Sequence, residues 1–136
     1  VSKYYRKEII IMKKRISLFM ITFMAAVCFS LSGVFAASYS KTKTKTVSYG
    51  SQCTANLNDK ATVTSSLSWS FSPSGSTKSS QNGYRFGSAY SNGVSYANSK
   101  KTATNTVGYY FYNSLGNNVG GSSTTFSFNF SGSSIS

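Results

Sequence analysis

From residue 38 onward, polar and apolar residues alternate with few interruptions. Tyr39, Lys41, Lys43, Lys45, Val47 and Tyr49 share one parity, and Ser40, Thr42, Thr44, Thr46 and Ser48 take the other. An extended strand turns successive side chains to opposite faces, so the run predicts a strand with two unlike sides. Cys53, Ala55 and Leu57 share a parity, after which Asn58-Asp59-Lys60 reads as a turn. Ala61, Val63, Leu67, Trp69 and Phe71 then alternate with Thr62, Thr64, Ser66, Ser68 and Ser70, which predicts one half-buried strand over 61–71. Ser72-Pro73-Ser74-Gly75-Ser76, continuing to Gln81-Asn82, reads as a loop.

Residues 83–107 predict a hairpin. Tyr84, Phe86 and Tyr90 share one parity, as do Val94 and Tyr96, with Asn92-Gly93 between them. A three-residue turn, Ser91-Asn92-Gly93, would pair Tyr90 with Val94 and keep one aromatic face. Asn98 to Lys101 reads as a polar connection or the bulged start of the next strand. Residues 102–112 follow as a strand, with Ala103, Val107, Tyr109 and Phe111 on one side and Tyr110 and Tyr112 on the other. Residues 113–121 form a Gly/Asn-rich loop, and Phe126, Phe128 and Phe130 mark a last strand over 124–130. Six or seven short strands, with no amphipathic helix after residue 36, predict an all-β domain: a small antiparallel β-sandwich or barrel. Its core face would hold Val63, Leu67, Trp69, Phe71, Tyr84, Phe86, Tyr90, Val94, Tyr96, Val107, Tyr109, Phe111, Phe126, Phe128 and Phe130.

The first 36 residues follow different rules. Met12-Lys13-Lys14-Arg15 opens a basic segment, an apolar run follows, and Val34-Phe35-Ala36 places small residues where a signal peptidase reads them. This predicts a helical secretory signal peptide over 12–36, cut after Ala36, and one secreted domain over 37–136. Residues 1–11 precede a natural start at Met12. Arg6-Lys7-Glu8 can be encoded by a purine run typical of a ribosome-binding sequence, so these residues read as a mis-called leader.

Charge narrows the class of partner. The 136-residue chain carries +12. Beyond residue 36, Lys41, Lys43, Lys45, Lys60, Lys78, Arg85, Lys100 and Lys101 face the single acid Asp59, a net +7. Such a cation favours anionic cell-wall polymers or anionic lipid, and secretion argues against nucleic acid. Cys53 is then the lone cysteine, so no internal disulfide forms, and it reads as a buried or inert thiol.

The chemistry is defined largely by what is missing. The chain has no histidine, and residues 37–136 hold one carboxylate and one thiol. Paired-carboxylate catalysis, a nucleophile–base triad, and zinc or calcium sites each need more than this. The expectation is a protein that is not an enzyme and takes no metal or cofactor. Lys41, Lys43 and Lys45, about 7 Å apart on one strand face, are either an edge charged against association or an anion-contacting strip. Arg85, Lys100 and Lys101 read as a basic patch or a solvated rim. Tyr110 and Tyr112 are candidates for an exposed aromatic contact with sugar or a membrane interface. Two of the alternating segments, 62–71 and 124–130, also fit spanning strands of a small pore former.

Gly83-Tyr84, then Ser88-Ala89-Tyr90-Ser91-Asn92, then Ser99-Lys100 and Ala103-Thr104 ahead of Val107, resembles the central segment of the lactococcin 972 family of bacteriocins. The resemblance implies a secreted, cationic, all-β antibacterial protein that binds the cell-wall precursor lipid II of Gram-positive cells and blocks septum formation. It makes Tyr90, Ser91, Asn92 and Lys100 candidate contacts. The reading that leads is a bacteriocin-like protein of the cell envelope. A surface, adhesive or carbohydrate-binding sandwich and a pore former are the alternatives.

Overall fold

A computed structural model of the chain describes residues 36–136, which form one compact unit. The leader and signal-peptide readings fall on residues 1–35 and lie outside the described residues. Six strands follow one another: β1 (Ser38–Tyr49), β2 (Cys53–Thr64), β3 (Trp69–Ser80), β4 (Arg85–Ala97), β5 (Thr102–Tyr112) and β6 (Asn118–Asn129). They make two antiparallel three-stranded meanders, ordered β1-β2-β3 and β4-β5-β6. The sheets pack as a sandwich and do not close into a barrel.

The two middle strands carry the alternation most cleanly. β2 buries Cys53, Ala55, Leu57, Asp59, Ala61 and Val63, and β5 buries Ala103, Asn105, Val107 and Phe111. Small residues on β2 leave room for the rings of Phe111, Phe126 and Phe128 from the second sheet, so large fits against small across the interface. Ile135 returns after β6, pairs with Phe130 and is also buried. Burial raises the Cys53 thiol above its ordinary pKa, which keeps it protonated and inert.

Four sequence expectations are corrected. Asn58-Asp59-Lys60 is mid-strand, with Asp59 paired to Lys43 on one side and Pro73 on the other. One acid on an otherwise apolar face broke the pattern without breaking the strand. The expected strand over 61–71 is split by a turn at residues 65–68. Leu67 there has φ 61, and its N–H donates to the Thr64 carbonyl at 2.9 Å. The expected loop after Phe71 is the second half of β3. Pro73 is tolerated because β3 is an edge strand, where a missing donor need not break a ladder.

The fourth correction concerns the hairpin. Asn92-Gly93 is not its turn. β4 runs straight through it, and the chain reverses at Asn98, Ser99 and Lys100, three consecutive residues with φ of 49, 53 and 65. Bulges interrupt β4 between Phe86 and Ser88 and between Ser91 and Gly93. Each inserts one residue and so flips the side chains beyond it to the other face. Phe86 pairs with buried Phe111. Between the bulges the inward parity becomes Ala89 and Ser91, and after the second it returns to Val94 and Tyr96. Tyr90 therefore points outward although its sequence parity matches Phe86. Tyr90, Val94 and Tyr96, all expected in the core, are 49%, 39% and 48% exposed.

The two open sides of the sandwich are sealed differently. Between β3 and β4, the Phe86 ring fills the space a side chain at Gly75 would need, and the Phe86 N–H donates to Thr77 Oγ1 at 2.9 Å. Between β1 and β6, lysines reach across.

Candidate binding face

The outer face of the second sheet gathers three tyrosines from two strands. On β5 the outward residues are Thr104, Thr106, Gly108, Tyr110 and Tyr112, paired with Ser95, Gly93, Tyr90, Ser88 and Arg85 of β4. Glycines let the rings lie against the sheet. The Tyr90 ring covers Gly108, where any Cβ would collide with it. Tyr110 lies beside Gly87, whose added Cβ would stand 2.6 Å from the ring, and Gly121 borders it on β6. Tyr110 and Tyr112 meet edge to face with centroids 5.4 Å apart. The Arg85 guanidinium sits 5.3 Å from the Tyr112 ring and donates to the Asn113 carbonyl at 3.4 Å. The Tyr112 hydroxyl is pushed above its ordinary pKa, chiefly by the neighbouring Tyr110. The result is an aromatic platform, edged by serines and threonines, with one fixed cation at its end.

Of the candidate ligand contacts, Tyr90, Tyr110 and Tyr112 come together on this platform, although sequence parity had assigned Tyr90 to the core. Ser91 does not join them. Its hydroxyl turns inward and donates to Asn105 Oδ1, while Asn105 Nδ2 donates to Asp59 Oδ2 at 2.9 Å. Asn92 occupies the bulge at the margin of the face. Asp59 and Asn105 are both fully buried, and Asp59 Oδ1 has no hydrogen-bond partner among the described residues. Burial raises the Asp59 carboxyl pKa, and the Asn105 hydrogen bond only partly opposes this. The one acidic side chain of residues 37–136 is thus a core residue.

The candidate cations divide. Lys43 Nζ donates to the Ser127 carbonyl at 2.7 Å, and Lys45 Nζ to the Thr125 carbonyl at 2.6 Å and to Thr124 Oγ1 at 3.3 Å. Each ammonium also lies over a ring, Lys43 at 5.3 Å from Phe128 and Lys45 at 5.2 Å from Phe126. These lysines lie on the core-facing side of β1, where the sandwich gapes. Their stems cover the apolar edge and their heads satisfy free carbonyls of β6. Lys43 is half-buried, and Lys45 is exposed like Lys41 but has its ammonium bonded to β6. Arg85 opens β4, and Lys100 and Lys101 follow its far end, so about 40 Å of strand separates them. They do not form one patch.

Gly87, Gly108 and Gly121 were not singled out in the sequence, yet they shape the platform. Their signal is outward parity beside a tyrosine of the next strand, and it is readable only once the register is known. Among the described residues no cluster of His, Cys, Asp and Glu could hold a metal ion. Comparison with protein-family models, with curated proteins and with solved structures finds no match for this chain.

Proposed function

We propose that this chain is a secreted, non-enzymatic protein of the Gram-positive cell envelope that holds an anionic glycan against the Tyr90–Tyr110–Tyr112 platform. The platform is the observation that carries the reading. Sugar rings present C–H faces that stack on aromatic rings, and the glycines under Tyr90 and Tyr110 let those rings lie against the sheet as a surface for a polymer. Arg85 at one end of the row supplies the contact for a carboxylate or phosphate substituent. The surplus of cations draws the protein toward an anionic wall. Chemistry is not part of the proposal, because the chain has no histidine and its one candidate acid lies in the core.

The resemblance to the lactococcin 972 bacteriocins gives this proposal a specific form, in which the glycan belongs to lipid II and binding inhibits growth. The segment that carries the resemblance includes Tyr90 and the β4–β5 turn. Co-sedimentation of residues 37–136 with purified Gram-positive cell walls tests the binding. Retention that falls about tenfold in Tyr110→Ala supports it, and retention unchanged by Tyr110→Ala together with Tyr90→Ala overturns it. Growth inhibition relieved by added lipid II tests the bacteriocin form.

A further inference from the structure

The end of the β4–β5 hairpin carries a second surface, separate from the tyrosine platform. Four large hydrophobic side chains are conspicuously exposed: Tyr90, Val94, Tyr96 and Leu115. Tyr90 belongs to the platform, and Leu115 lies in the turn at the opposite end of the molecule. Val94 and Tyr96 remain, and their placement is anomalous. Val94 pairs with Asn105 and Tyr96 with Ala103, both fully buried, so both side chains stand on the core-facing side of β4. Yet they are 39% and 48% exposed, so the first sheet covers this part of the edge strand only in part. A face patterned for burial is left partly open.

Its surroundings indicate what covers it. The strand runs directly into the four-residue turn Asn98-Ser99-Lys100-Lys101, which presents two adjacent cations. Trp69, the only tryptophan of the protein, closes the same end. Its indole N–H donates to the Lys100 carbonyl at 2.8 Å and its ring stacks on Phe71 at 6.1 Å. The bond pins the turn to the first sheet. An apolar and tyrosine-bearing strip beside two lysines, with a half-buried tryptophan next to them, matches the interfacial zone of a bilayer. There aromatic rings lie at headgroup depth and cations meet lipid phosphates.

We propose that this end of the molecule, formed by Val94, Tyr96, Trp69 and the Lys100-Lys101 turn, docks on the surface of an anionic lipid bilayer. The contact is interfacial and does not span the membrane. Val94 and Tyr96 enter the headgroup layer from the splayed edge of β4, and Lys100 and Lys101 contact lipid phosphates. The position of the surface at one end of the strands leaves the tyrosine platform free, so a protein docked in this way still presents Tyr90, Tyr110 and Tyr112 to a glycan.

The lone tryptophan makes the test local. The secreted protein is mixed at low salt with vesicles of phosphatidylglycerol and phosphatidylcholine, and both Trp69 emission and co-sedimentation are followed. A blue shift that saturates with lipid, is absent with pure phosphatidylcholine and reverses in high salt is the expected result. Replacing both lysines (Lys100→Gln, Lys101→Gln) weakens binding about thirtyfold at low salt. Val94→Ser with Tyr96→Ser abolishes the shift and lowers the melting temperature only modestly, since the side chains are already 39% and 48% exposed. Leu115→Ser and Tyr110→Ala leave vesicle binding unchanged, and the second of these separates this surface from the glycan platform. The proposal is overturned if no vesicle binding occurs, if binding survives the Val94/Tyr96 pair, or if Leu115→Ser removes it.

Discussion

The two sheets are alike inside and unlike outside. Each is a three-stranded meander whose middle strand buries every second residue. Outside, the first sheet presents Thr42, Thr44 and Thr46 of β1, Asn56, Asn58 and Thr62 of β2, and Ser70, Ser72 and Ser74 of β3. These short polar groups pair with one another, as in Ser40–Thr62 at 2.8 Å and Thr44–Asn58 at 2.6 Å. The second sheet presents tyrosines laid over glycines. A polar ladder whose hydrogen bonds close on themselves has satisfied much of its own bonding capacity. The rings of the second sheet touch one another and Arg85, and Tyr90 remains 49% exposed. On the proposed reading, the first sheet is the scaffold and the second carries recognition.

The largest effects are expected on the shared inner face. Phe111→Ala removes a fully buried ring, and a loss of about 3–5 kcal/mol in denaturant unfolding follows. Its neighbour Tyr110→Ala, one residue away on the outer side, leaves folding nearly intact and lowers wall retention about tenfold. If the two variants lose stability equally, the division between inside and outside is broken.

An intermediate effect is expected where the two middle strands meet, at Asp59 and Asn105. Burial raises the Asp59 carboxyl above its ordinary value of 3.8. A carboxyl with a raised folded pKa contributes fully below the unfolded value, and that contribution is lost as pH rises through the folded pKa. Melting temperature therefore declines as pH climbs out of the acid range through that raised value. Asp59→Asn cannot ionise, so it flattens the decline and is more stable than the wild type above that pH, although the amide group at the Oδ1 position still lacks a partner. A wild-type melting curve that gains stability over the same interval would show the carboxyl ionised and paired in the folded state.

The smallest effect is expected outside the first sheet. Thr44→Ala costs the Asn58 hydrogen bond at an exposed site, within about 0.5 kcal/mol. Wall binding is unchanged. Loss of binding there would place recognition on both faces and erase the contrast.

Much of the fold was legible because burial imposes a period of two on a strand, and β2, β5 and the end of β6 keep that period. What was misread lies where another rule intervened. Asp59 looked like a turn residue because an acid seldom faces a core. Its partner Asn105 sits 46 positions away, and no local pattern announces that contact. Leu67 continued the alternation through a reversal. Pro73 and Gly75 suggested a loop, although an edge strand accepts both. The site was legible in its residue types and illegible in its assembly: Tyr110 and Tyr112 stood out by parity, whereas Tyr90 reached them through a bulge that parity cannot detect.

By itself, the amino-acid sequence determined the class of structure and the absence of histidine. Alternation over short runs leaves no helical stripe to bury, and a chain without histidine has no imidazole to offer. Only the tertiary structure decided which rings face outward, which lysines are engaged and where the acid lies. Two bulges set the side of every residue in β4, the gap between β1 and β6 drew Lys43 and Lys45 into its closure, and the meeting of β2 with β5 buried Asp59. Each of these depends on pairing between distant segments, and register is a property of two strands, not of one.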